Sequence, residues 1–251
     1  MSSTRTRVLG AAAVVMGLAA GTGCASSDGS SQLTVFAAAS LVEPFSVIEE
    51  SFEAAHPGVD VVMVHAGSAD LAAQIIEGAP ADVFAAADEA QMAVIGEHAA
   101  APPAVFATNT LTIVVPRGNP AAVGSIESLG DPSVVSVVCA PQVPCGASSA
   151  RLAALAGVAL VPSSEETSVT GVLSKVAEGH ADAGLVYVTD VARRTGVEAV
   201  ATEHADEVVN AYPIAALTGS DQPDLSAGFV DYVLTTGQEA LDAYGFGTVQ
   251  R

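Results

Sequence analysis

Seven short apolar runs, at 33–37, 59–65, 82–86, 110–116, 134–139, 184–188 and 211–217, are separated for most of the chain by stretches of helical periodicity. That alternation constrains the fold more than any other feature, because strands that take turns with helices build α/β units around mainly parallel sheets. In the first helical stretch Leu41, Phe45, Ile48 and Phe52 recur at i, i+4, i+7 and i+11, one apolar face that stops at His56-Pro57-Gly58. A second runs from about Asp70 to Glu77 and is stopped by Gly78 and Pro80. Further helices start near Gly146 and near Ser168, and helical pieces occupy Leu225 to Tyr244. With 251 residues, half of them apolar and 14% charged, one large domain or two ordinary ones can bury a core.

In open α/β sheets a ligand sits at the carboxyl ends of the strands, where helix N-termini point. Four strand-to-helix junctions are built alike here: AAASL with Ser40, HAGSADL with Ser68, QVPCGASS with Cys145 and Gly146, and ETSVTGV with Ser168 and Val169. All are small or hydroxylic, and none carries Lys or Arg. A helix N-terminus has unsatisfied N–H donors and about half a positive charge, so several converging ones make an anion site without a cationic side chain. Each serine alone has a plainer reading. Ser40-Leu41-Val42-Glu43 fits a capping box, and Ser68 and Ser168 can cap their own helices. The set, not any single member, points to an anion.

The first 24 residues stand apart from this pattern. Arg5 and Arg7 precede an apolar stretch, Val8 to Ala20, suited to an export signal and too short for a typical membrane span. Gly21-Thr22-Gly23-Cys24 then resembles a bacterial lipobox, in which the cysteine is lipidated; Gly21 stands where an aliphatic residue is usual, and an ordinary secretory signal is the alternative. Residues 1–23 are therefore expected to be a signal peptide and 24–31 a lipid-anchored tether on the outer face of the cell membrane. Two cysteines remain, Cys139 and Cys145, spaced C-x5-C. An oxidising compartment favours a disulfide between them over two free thiols, and two ligands without a nearby His or Asp make a poor zinc site. The formal charge of −20 argues against nucleic acid, whose phosphates need a basic surface.

From about Leu33 to Phe246 the chain resembles the molybdate-binding proteins of bacterial ABC uptake transporters, on the stretches VFAAASL, AGSADLAAQI, GAPADVFAAAD, VPCG, GLVYVTDV and YGF, in that order. The resemblance implies a two-lobed periplasmic-binding-protein fold of type II, each lobe a mostly parallel sheet flanked by helices. Residues 32–109 plus 213–251 would form one lobe and 110–212 the other. It implies a tetrahedral oxyanion, molybdate or tungstate, held between the lobes by the hydroxyls of Ser40 and Ser68, the backbone N–H groups of Cys145 and Val169, and the phenol of Tyr187. Molybdenum would enter as molybdate, with no cofactor and no cationic metal. The implied partners are a permease and its ATPase, and the protein is expected to be a monomer. Two departures stand out: Ser68 lies between Gly67 and Ala69 rather than in a serine-rich run, and Cys145 replaces a small residue such as Ala. Asp82, Asp88 and Asp190 match acidic positions of the family and read as structural, capping turns or helices, since a carboxylate facing an anion would oppose binding.

Other functions fit less well. Sulfate or another oxyanion would suit the same donors, but an organic acid usually recruits an arginine clamp. The arginines after the signal, Arg117, Arg151, Arg193, Arg194 and Arg251, avoid all four junctions. A serine hydrolase could be imagined from His65 three residues before Ser68, yet AGSAD is not the G-x-S-x-G elbow.

Overall fold

The computed structural model describes residues 31–192, 194–247 and 249. The expected signal peptide and Cys24 lie outside the described residues. Strand β1 (Ser31–Ala38) leads through a short 3-10 turn into helix α1 (Val42–Ala55), followed by β2 (Val59–Ala66), α2 (Ser68–Ile76), β3 (Val83–Ala85), α3 (Glu89–Val94) and β4 (Ala104–Asn109). The next series is β5 (Leu111–Pro116), β6 (Ser136–Cys139), α4 (Pro144–Ala156), β7 (Ser164–Glu166), α5 (Val169–Ala177), β8 (Ala183–Tyr187), α6 (Val188–Ala192) and β9 (Val197–Val200). Strand β10 (Asn210–Ala216) and helices α7 (Pro223–Leu234) and α8 (Gln238–Ala243) close it.

The strands form two five-stranded sheets, β2-β1-β3-β10-β4 and β7-β6-β8-β5-β9. Each is the centre of one lobe. The chain crosses once between β4 and β5, at Thr110, and returns between β9 and β10. The returning strand takes up its pairing at Asn210, ahead of the expected 213, and carries Pro213 at a register shift next to Tyr212. Proline is tolerated inside a sheet at such an irregularity.

Both sheets are mixed rather than mostly parallel. β1 pairs in parallel with β2 and β3, and β6 with β7 and β8, while β10 and β5 run antiparallel to every neighbour they have. β5 and β10 are the strands on which the chain enters a lobe from the other one, and that reversal is invisible in a strand–helix count. Three strands were not expected, β4, β7 and β9, and all three are sheet edges. An edge strand needs no apolar run on both faces: β7 is Ser164-Glu165-Glu166, and none of its residues is buried.

The centre of each sheet does read as apolar. In β1, Leu33, Val35 and Ala37 are fully buried and Phe36 and Ala38 nearly so, as expected for a strand covered on both faces. The face of α1 lies where its periodicity placed it, with Leu41, Phe45, Ile48 and Phe52 all inaccessible to solvent. Phe45 and Phe52 both meet Phe229 of α7, and Phe45 also meets Phe106 of β4, so returning segments cover the first lobe.

Candidate functional site

The carboxyl ends of β1 and β2 in one lobe face those of β6, β7 and β8 in the other. Between them the lobes pinch a small cavity of about 20 Å3. Ser40, Ser68, Cys145, Val169 and Tyr187 all line it, together with Ala38, Ala39, Gly67, Val143, Pro144, Thr167 and Ser168. Among the described residues, no lining side chain is charged. Thr167 was not anticipated; nothing in ETSVTGV distinguishes it from a plain loop residue.

Each donor is held by a short local rule. Ser68 is the first residue of α2, Cys145 the second of α4, and Val169 the first of α5. First-turn N–H groups have no intrahelical acceptor, so these three backbones present donors to the cavity by position alone. Proline at the first position of α4 fits a helix start for the same reason. Tyr187 ends β8 and its backbone N–H is taken by Asp190 Oδ2 at 2.9 Å.

The plainer reading of the serines separates cleanly. Ser168 does cap its helix, accepting from Gly171 N at 3.3 Å. Ser40 and Ser68 do not cap theirs. Ser40 Oγ lies 3.1 Å from the Tyr212 hydroxyl, and Ser68 Oγ accepts from Ala87 N at 3.0 Å. All three serines line the cavity, and Ser40 and Ser68 do so without spending their hydroxyls on their own helix ends.

The two departures from the family pattern have steric and covalent reasons. A Cβ on Gly67 would sit 2.3 Å from the backbone oxygen of Thr167 in the opposite lobe. Gly67 has φ −60° and ψ 137°, which any residue adopts, so glycine is there for interlobe space and not for its backbone. Cys145 is bonded to Cys139, with Cα atoms 5.6 Å apart, tying the end of β6 to the first turn of α4. Gly146 completes that turn, since a Cβ there would lie 1.8 Å from the Ala140 carbonyl oxygen.

Behind the cavity lies a layer that the sequence did not reveal. Asn210 Nδ2 donates to the Tyr187 hydroxyl at 2.7 Å and to the Ala87 carbonyl at 3.1 Å, while its Oδ1 accepts from Ser148 Oγ. Tyr187 and Tyr212 pack edge to face at 5.8 Å between ring centroids. Burial raises the titration of both phenols well above the ordinary range, so both are neutral hydrogen-bond donors at any physiological pH. Asn210 and Tyr212 sit in NAYPI, a stretch that reads only as a crossover; its five residues carry no signal that two of them support a site.

The acidic residues act locally. Asp82 Oδ2 accepts from Thr34 N at 2.7 Å and Asp88 Oδ1 from Gln91 N, at the start of α3, at 2.7 Å. Asp190, half-buried, is pushed up to about 7 by burial, against the pull of its bond from Tyr187 N and with Glu43 adding repulsion. Asp190 and Glu43 share with Arg194 a second cavity, about 130 Å3, on the other side of Ser40. Two carboxyl groups against one guanidinium suit it poorly to a dianion. His65 offers Ser68 no base: its Nδ1 is buried without a partner, and burial lowers its titration.

Known proteins resemble the chain along nearly its whole described length. The pattern of the family described as bacterial extracellular solute-binding protein matches residues 33–247. A molybdate-binding protein ModA of Mycobacterium tuberculosis (strain H37Rv) is 47% identical over 223 residues, covering 87% of this chain and 85% of that protein. One from Escherichia coli (strain K12) is 32% identical over 241 residues, covering 86% and 88%. The solved periplasmic molybdate-binding protein of Azotobacter vinelandii superposes with a TM-score of 0.74 at 19% identity, over 87% of this chain and all of that one.

Proposed function

The chain belongs to the bacterial extracellular solute-binding proteins, and from that membership and the chemistry of its cleft we infer that it captures molybdate outside the cell and delivers it to an ABC importer. The observation that carries the ligand class is the cavity at the carboxyl ends of strands from both lobes, lined by five hydroxyl side chains and three first-turn backbones and, among the described residues, by no charged side chain. Donors without acceptors and without cations suit a fully deprotonated tetrahedral oxyanion, which offers acceptors on every oxygen.

In this reading Ser40, Ser68 and Tyr187 donate through hydroxyls and Cys145 and Val169 through backbone N–H, so that ligand and lobe closure are linked: neither lobe alone holds all the donors. Tungstate, alike in charge and shape, binds with molybdate. Sulfate passes the charge test and is rejected by size. Phosphate keeps a proton at neutral pH, and that proton needs an acceptor; a buried O–H facing donors costs on the order of several kcal/mol. Cys24 carries the lipid that keeps the protein at the membrane, where a permease and its ATPase receive the ligand, and the protein works as a monomer.

Calorimetry with a panel of oxyanions tests this. Molybdate and tungstate should bind similarly, sulfate much more weakly, and phosphate not detectably. Phosphate binding comparable to molybdate at pH 7 would rule the reading out. For the anchor, Cys24→Ala should release the protein or leave it unprocessed; a variant that fractionates with membranes in mature form would refute lipidation.

A further inference from the structure

Five hydroxyl side chains line the cavity, and three of them, those of Ser40, Ser68 and Tyr187, are met from behind by another polar group of the protein. The backbone N–H of Ala87 reaches Ser68 Oγ at 3.0 Å, Asn210 Nδ2 reaches the Tyr187 oxygen at 2.7 Å, and the Tyr212 hydroxyl lies 3.1 Å from Ser40 Oγ. Neither Asn210 nor Tyr212 lines the cavity. We propose that Asn210 and Tyr212, with the backbone of Ala87, are positioning residues that fix the polarity of the site, holding its hydroxyls as donors toward the ligand and so setting its preference for oxyanions that carry no proton. This rests on the molybdate reading above and assigns its selectivity to specific residues.

The direction of two of these bonds follows from groups that cannot reverse. An amide N–H can only donate and a carbonyl can only accept. Asn210 Nδ2 donates to the Ala87 carbonyl, which settles which end of the amide faces that way, and the same nitrogen then donates to Tyr187. The Tyr187 hydrogen cannot point back at a donor, so it points forward. Ser68 is fixed in the same manner by the Ala87 N–H.

The Tyr212–Ser40 pair is two hydroxyls and can run either way by itself. Asn109 Oδ1 accepts from Thr110 N at 3.0 Å and its Nδ2 donates to Thr189 Oγ1 at 2.8 Å. With Tyr212 giving its hydrogen to Ser40, Ser40 gives its own to the cavity, which is the direction the proposal assigns. Asn210 and the Ala87 backbone thus fix the hydroxyls of Tyr187 and Ser68, and Tyr212 is the group that meets that of Ser40. Asn109 ends β4 and Asn210 starts β10, facing each other in the pairing of those strands, so the two amides sit on the two crossovers. Selectivity and lobe closure would share these strands.

The test is a ratio of affinities, which packing damage alone does not move. Asn210→Asp keeps the shape but replaces the only-donating end with an acceptor, so Tyr187 turns its hydrogen back and offers oxygen to the ligand. By calorimetry at pH 7.5, molybdate affinity should fall by more than about tenfold and the molybdate-to-phosphate ratio should narrow by at least as much. In a Tyr187→Phe background the same substitution should leave the ratio where Tyr187→Phe alone puts it. Tyr212→Phe, which removes one hydroxyl and keeps the buried ring, should narrow the ratio independently by freeing Ser40 to rotate, and covers the case in which Asn210→Asp does not fold. If both residues can be changed in folded protein, judged by thermal melts, with molybdate and phosphate weakened equally, the two are structural only and the proposal fails. If the unaltered protein does not prefer molybdate, it is the underlying function that fails instead.

Discussion

The two lobes bring different kinds of donor to the same cavity. The first contributes two serine side chains, Ser40 and Ser68, each backed by a hydrogen bond from elsewhere in the fold. The second contributes the first-turn backbones of α4 and α5, held by a disulfide and a helix cap, together with the Tyr187 phenol. A backbone N–H has a fixed polarity and needs only placement. A hydroxyl can donate or accept and needs placement and direction, which is why the polar layer of Asn210, Tyr212 and Ala87 lies behind the hydroxyls and not behind α4 or α5. The first lobe's donors can be deleted by substitution; the second lobe's backbones can only be displaced.

The largest effect is expected where the lobes touch. Gly67→Ala puts a methyl group 2.3 Å from the Thr167 oxygen and has no backbone conflict of its own. Molybdate affinity should drop on the order of a hundredfold with the melting temperature nearly unchanged, since the clash is between lobes. Wild-type affinity in this variant would mean that the lobes do not close at Gly67.

Deleting side-chain donors should cost less. Ser40→Ala and Ser68→Ala each remove a hydrogen bond to a charged group, about 1.5–3 kcal/mol, or roughly ten- to a hundredfold in affinity. Tyr187→Phe should cost a similar amount. In contrast Val169→Ala, which keeps the backbone donor, should change affinity by no more than a few-fold; a loss equal to that of the serines would erase the distinction between the lobes.

The disulfide sharpens the comparison from the second lobe. Reducing Cys139–Cys145 opens a short loop, for which chain entropy alone is worth about 2 kcal/mol of stability. Denaturant melts should show that loss, while affinity falls only a few-fold because α4 still presents its N–H. Two free thiols detected on native exported protein would contradict the pairing.

The smallest effect concerns pH. Asp190 titrates at about 7 in the folded protein, held up chiefly by burial, against about 3.9 when unfolded. The folded state then binds more protons between those values, so this group's contribution to stability falls as pH rises from about 4 to about 7 and is level above. Asp190→Asn removes the penalty while keeping an acceptor for Tyr187 N. Its melting temperature should exceed wild type by a few degrees at pH 8, roughly, with the gap closing toward pH 5. A gap that does not change with pH would mean the carboxylate is not penalised.

What could be read from the sequence follows the same division. Phe45, Ile48 and Phe52 announce their helix because one face must be apolar, and the four junctions announce an anion because they are small or hydroxylic and carry no Lys or Arg. Strand β7 escaped because none of its residues is buried, and β9 because two of its four residues are exposed, so neither needs an apolar pattern. The mixed direction of the sheets escaped because it is set by how β5 and β10 cross, which local periodicity does not encode. Ser40, Ser68 and Ser168 look equivalent in sequence, and only their hydrogen-bond partners show that one caps a helix and two face the cleft. Asn210 and Tyr212 act through contacts 23 and 172 positions away in the chain, beyond any local motif.

The central claim is that a dianion is held between the lobes by neutral donors from both. A crystal structure of the molybdate complex, phased on the anomalous signal of molybdenum, tests it most directly. The expected result is one molybdenum in the small cleft, with its oxygens in hydrogen-bond reach of the Ser40, Ser68 and Tyr187 hydroxyls and the Cys145 and Val169 N–H groups. Molybdenum in the adjoining cavity beside Arg194, or touching one lobe alone, would contradict it.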